Sequence, residues 1–205
     1  MKPLTLAIAV LFFFSAMACA AERLPPIPPE KYSEEQQHAA AEFLASRKVP
    51  VFGPFEPLMY SPQVMNQTRA TGDYLRYHSA LGNTLSELVI LITAREWTQD
   101  YEWYVHYPIA LKAGIKPAIA DAIADGRRPT DMSEDEEIVY DFSTELHKNK
   151  RVSDGTFERA DRRFGKKGIV DLTGINAYYA MLAMQMNVAQ YQAPKDSKKL
   201  PRFPE

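Results

Sequence analysis

Cysteine is almost missing from this chain: Cys19 is the only one in 205 residues. It lies within a segment shaped like an export leader, so the mature chain is expected to contain none. That excludes a disulfide framework, a thiolate nucleophile and a cysteine-held metal. Histidine is scarce as well, with four in all, and neither an H-E-x-x-H nor a third spaced histidine completes a zinc set, so no metal is expected. Beyond the first twenty residues no apolar run is long enough to span a bilayer. No window alternates apolar and polar residues, which argues against strands. Charge of one sign is not in excess, with 24 basic residues against 26 acidic ones and a net charge of −2. No basic stripe stands out, so nucleic acid is not an expected partner.

The leader reads MKPLTLAIAVLFFFSAMACAAE. Lys2 is followed by an apolar run from Leu4 to Phe14, and Ala18 and Ala20 form an A-x-A site, with cleavage expected after Ala20. A periplasmic or secreted location follows, with no stable membrane insertion once the leader is gone. A lipidated Cys19 is the competing reading, against which Ala16, Met17 and Ala18 offer no leucine three residues before the cysteine.

Proline is plentiful, and unevenly placed. Seven of the 15 fall between Ala21 and Tyr60, which predicts a largely extended arm over 21–60. One helix interrupts it, opened by the capping box Ser33-Glu34-Glu35-Gln36 and running to about Arg47. From 61 to 192 the apolar period is helical throughout. Ser61 and Pro62 open one helix. Thr84-Leu85-Ser86-Glu87 reads as a capping box heading an apolar segment that runs to about Ala113, with Gly114 as its stop. Short helices follow at Pro117–Ala124 and around Phe157 and Phe164, with one capped by Ser133 between them. The last helix, Gly168 to Tyr191, is expected to be the central buried element. A lysine- and proline-rich tail, 193–205, either wraps a surface or is loosely held. The fold class is all-α.

The chemistry is concentrated in EWTQDYEWYVHYPIALKAGI, Glu96 to Ile115. Gln99, Glu102 and His106 are spaced i, i+3 and i+7 and share one helix face. Glu87 lies twelve residues before Gln99, about 18 Å away along a straight helix. It reaches that face only if the helix breaks, and the expected place is around Thr98 and Asp100.

These residues, together with "DEEIVYDFSTEL", "RVSDGTFERADRRFG" and "VDLTGINAYYAMLAMQMN", resemble the carboxymuconolactone decarboxylase family, which includes the alkylhydroperoxidase D branch. The resemblance covers about Gly53 to Gln190. In the peroxidase branch a glutamate is followed after twelve residues by C-x-x-C and then, four beyond the second cysteine, by histidine. The glutamate falls on Glu87, the cysteines on Gln99 and Glu102, and the histidine on His106. With both thiols replaced, thiol peroxidase activity is expected to be absent.

What survives is an acid–base set. The resemblance then implies an alkylhydroperoxidase D-like helical domain that forms a trimer or hexamer. It also implies a cofactor-free lyase or isomerase acting on a small carboxylated lactone or related ring. His106 is the expected proton donor, with Glu102 and Glu87 holding its tautomer. Arg76 and Arg95 are expected to grip a substrate carboxylate, and Gln99, Trp103 and His78 to line the pocket of this small anionic compound. Plainer roles stay open: Glu87 as the N3 partner of the Thr84 cap, Glu102 and His106 as a surface pair, and the aromatics as core or subunit interface. His38 and His147 read as solvated. The alternative function is a non-catalytic binding or assembly protein that retains the fold.

Overall fold

The computed structural model describes residues 22–202, all of them in helices, turns and extended segments with no strand among them. The leader and Cys19 lie outside the described residues. A short 3₁₀ turn at Pro29–Lys31 precedes eight α-helices: α1 Glu34–Arg47, α2 Phe55–Leu58, α3 Pro62–Tyr77, α4 Gly82–Glu96, α5 Asp100–Lys112, α6 Pro117–Ala124, α7 Glu134–Asn149 and α8 Asp154–Ala189. Two helix starts follow from local chemistry. Ser33 and Ser133 each accept from the backbone N–H three residues on, and Gln36 and Glu136 reach back to the serine N–H.

The centre of the bundle is α4, not the last helix. Every residue from Ser86 to Ala94 is buried, because LVILITA is apolar on all sides and a helix of that kind must be covered all round. Helices α5, α7 and α8 pack against it. The second half of α8 contributes Leu172, Ile175, Leu182 and Met186 to the same core. At Gly165 the backbone leaves helical geometry (φ 66°, ψ 178°), so α8 is two helical segments joined at a break. That matches the two helices expected around Phe157 and from Gly168.

The long helix expected from Thr84 to Ala113 is divided into α4 and α5 by Trp97–Gln99, with Thr98 at a positive φ of 47°. The Thr84 capping box does not form. Since α4 starts at Gly82, Thr84 lies inside its first turn and donates instead to the carbonyl of Ala113 (2.6 Å), tying the start of α4 to the end of α5.

The proline-rich arm shares the core of the helical domain, burying Phe43, Phe55, Leu58 and Met59 there. Its first strap is pinned by Arg23 N–H donating to Ala189 O and by the Tyr60 hydroxyl donating to Pro25 O. The tail also wraps the surface. Leu200 is buried and its N–H donates to Asp100, which also pairs with Arg202, while Arg95 donates to Pro201 O.

Candidate functional site

The break at 97–99 folds α5 back along α4 and brings Glu87 and His106 together. His106 Nδ1 lies 2.7 Å from Glu87 Oε2, with both residues buried, at 5% and 1% exposure. A carboxylate can only accept, so Nδ1 carries the proton and donates it, leaving Nε2 for the cavity that His106 lines. The other oxygen of Glu87 lies 3.7 Å from Arg76 Nη2, and Arg76 is 23% exposed at the edge of the cavity. Burial holds the His106 pKa below its ordinary value against the opposing pull of Glu87, so the imidazole is biased to the neutral form.

Glu102 lies one turn before His106 on α5 and lines the same cavity at 3% exposure. Neither of its oxygens has a hydrogen-bond partner, and no ion pair reaches it among the described residues. Burial pushes its pKa well above the ordinary carboxyl range. Burial thus biases Glu102 toward the neutral acid and His106 toward the neutral base, two titratable groups driven apart by their surroundings.

The rest of the cavity is mostly apolar and aromatic. Phe52, Pro54 and Phe55, in and beside the loop after α1, form one wall, Val105 and Leu182 another, and Tyr101, Tyr178 and Tyr179 bring hydroxyls. The Tyr179 ring meets His106 edge-on at 5.2 Å between centroids. Burial pushes Tyr178 up to about 12 and Tyr179 further, so both remain hydrogen-bonding hydroxyls. Gly72 on α3 makes room for Tyr178, since a Cβ there would lie 2.1 Å from the tyrosine oxygen. The cavity is partly open at its edge and holds about 50 Å³, space for a few waters.

Of the residues expected here, Arg76, Glu87, Glu102 and His106 converge, while Arg95, Gln99, Trp103 and His78 do not. Arg95 lies at the end of α4 holding the tail, because Pro201 and Ala124 offer it carbonyls. Gln99 caps α5, accepting from Tyr101 N–H and donating to Asn187 on α8. Trp103 faces the core beside Tyr107. His78 ends α3 and is exposed. The plain alternatives for Glu87 and Glu102 also fall, since the first caps nothing and the second is no surface residue. His147 is not solvated but half-buried, its Nε2 placed 3.0 Å from Asn176 Oδ1 and 3.2 Å from Thr93 Oγ1.

Arg47, the tyrosine pair and the Phe52–Phe55 wall line the cavity without having been expected there from the sequence. Arg47 lines the cavity with its charge committed to Asp73 at 2.7 Å and its guanidinium over Phe55. A signal for the tyrosines was present in "NAYYAM": two adjacent phenols on a helix otherwise apolar enough to be buried need polar surroundings somewhere in the core. Among the described residues no cluster of three or more His, Cys, Asp or Glu is arranged to hold a metal.

The fold is the alkylhydroperoxidase D-like helical fold. The chain is similar to the crystal structure of an alkylhydroperoxidase AhpD core, a peroxidase-related protein from Ralstonia eutropha, with a TM-score of 0.68 and 18% identity over 87% of this chain and 95% of that one. No family model and no curated protein sequence matches the chain.

Proposed function

We propose that this protein is a cofactor-free acid–base enzyme, a lyase or isomerase acting on a small carboxylated ring compound such as a lactone. The observation that carries this is the buried Glu87–His106 pair, whose free nitrogen Nε2 is left to a small cavity edged by Arg76. Glu87 fixes the tautomer and orientation, so Nε2 is the atom that moves protons. Arg76 supplies a positive edge for a carboxylate, and Phe52, Phe55, Val105 and Leu182 supply apolar contact for a ring. In isomerisation neutral His106 removes and returns a proton. In decarboxylation the carbanion left by loss of CO2 must gain a proton at carbon, and His106 delivers it only as the imidazolium. The depressed pKa of His106 therefore favours proton removal near neutral pH and confines delivery to the acid side. A ring is larger than the cavity as it stands, so the Phe52–Phe55 wall must lift to admit it. We place this chemistry outside the cytoplasm, on the leader-like Met1–Ala20, and in a homo-oligomer.

The test is turnover of a panel of small carboxylactones by wild type, Glu87→Gln, His106→Ala and the double variant. Each single variant is expected to lose turnover while keeping its melting transition, and the double variant to be no worse than either, as for residues that act as one unit. Undiminished turnover in His106→Ala, or none by wild type across the panel, would leave the binding or assembly alternative.

A further inference from the structure

Glu102 is the group that the His106 chemistry does not require. Its carboxyl is buried at the cavity with both oxygens unpartnered. The charged groups around it are all committed elsewhere: Arg76 and His106 to Glu87, and Arg47 to Asp73. The remaining titratable groups facing the cavity are the phenols of Tyr101, Tyr178 and Tyr179. An ionised carboxylate there would be desolvated with no cation to offset the cost, whereas a neutral carboxyl brings an O–H that still needs an acceptor. The described residues provide none, so the acceptor is left to whatever occupies the cavity, a water at rest and a substrate oxygen when one is bound.

We propose that Glu102 is a hydrogen-bond donor to the developing enolate oxygen of a small enolisable carbonyl acid, making this a site for 1,3-proton-transfer isomerisation of unsaturated carbonyl compounds. The proposal rests on the acid–base reading above and names its substrate class. His106 Nε2 takes the proton from the carbon between carbonyl and alkene. The C–H electrons form a new C=C bond, and the carbonyl π pair moves to oxygen, where the Glu102 O–H meets it. The π pair then returns, and the far carbon of the allylic system takes the proton back from His106. Atoms and electrons balance with no oxidant, reductant or co-reactant. The donor is effective because its hydrogen bond strengthens as negative charge grows on the oxygen, in a small and mostly apolar cavity from which a bound substrate displaces water. A carboxylic acid kept neutral by apolar surroundings is one established way to build such an oxyanion site. The apolar walls suit the hydrocarbon part of the substrate.

The test pairs equilibrium binding of benzoate and the three hydroxybenzoates with infrared difference spectra, using the full chain, Arg76→Met, Glu102→Leu and Glu102→Gln, each with a thermal melt. Benzoate probes the Arg76 edge and the phenol oxygen stands in for the enolate. Wild type is expected to bind at least one hydroxybenzoate about tenfold more tightly than benzoate, the upper end of the scale for one neutral hydrogen bond. Glu102→Leu should erase that preference without weakening benzoate, and Glu102→Gln, still a donor, should keep part of it. The infrared spectrum of wild type should contain a protonated carboxylic C=O band that Glu102→Gln removes. A phenol preference that survives in Glu102→Leu, or no such band, overturns the role of Glu102 and leaves the acid–base reading. Benzoate binding that depends on Arg76 but shows no phenol preference does the same. Failure of wild type to bind any of these probes overturns both.

Discussion

At the scale of single residues, Glu102 and His106 impose opposite demands on pH. The folded chain binds the Glu102 proton more tightly than the unfolded chain does. Its contribution to stability is therefore complete below the ordinary carboxyl value of 4.5 and is lost as pH rises through the higher folded-state value. His106 is depressed, so its contribution is complete above 6.5 and is lost as pH falls through its lower folded-state value. Urea midpoints measured across pH should show this directly. Glu102→Gln is expected to gain on wild type progressively above pH 4.5 and to match its slope below. His106→Gln is expected to flatten the acid limb below pH 6.5. A Glu102→Gln curve parallel to wild type throughout would mean that the carboxyl titrates in the folded chain as it does in the unfolded one.

At the scale of helices, what was legible in the sequence was what is decided locally. Ser33 and Ser133 cap as read because donor and acceptor lie three residues apart on the same strand of chain. The break near Thr98 was legible only on the condition that Glu87 meets His106, a pairing the family resemblance suggested; the local apolar period by itself runs on to Ala113. Thr84 misled because its hydroxyl has a better acceptor 29 residues away, at Ala113, and no local pattern reports that. His147 misled for a similar reason: its polar flank lies against Asn176 and Thr93, which arrive from α8 and α4. Arg95 and His78 carry suitable chemistry on the wrong side of their helices, which spacing could settle only if the packing of α4 were already known. The break at Gly165 offers a test of an element boundary. A Cβ there has open space around it but a backbone at φ 66°, ψ 178° that side chains disfavour. Gly165→Ala should therefore cost about 1–3 kcal/mol by denaturant unfolding, whereas a neutral or stabilising effect would mean that α8 closes into one continuous helix.

For the molecule as a whole, both ends of the described chain act as straps, the arm over α8 and the tail over the corner between α4 and α5. Leu200 is the buried anchor of the tail, and Leu200→Ala is expected to cost about 2 kcal/mol, toward the lower end for a buried leucine because the tail can partly resettle. No loss in a thermal or urea melt would show the tail to be detached in solution. The arm has a further consequence, because it contributes the Phe52–Phe55 wall to a cavity of about 50 Å³. Under the function proposed above, so small a cavity turns affinity into a matter of timing: a ring-sized ligand is expected to enter only during the intervals when that wall is lifted, however strongly it is held afterwards. In stopped-flow mixing with a hydroxybenzoate, the observed rate should therefore stop rising with concentration and level off at the frequency of opening. Adding a Cβ at Gly53, which would sit 2.7 Å from the Tyr101 hydroxyl, should loosen the wall and raise that plateau. A rate that climbs in proportion to ligand without limit would mean that the cavity stands open in solution, with the arm keeping time for nothing.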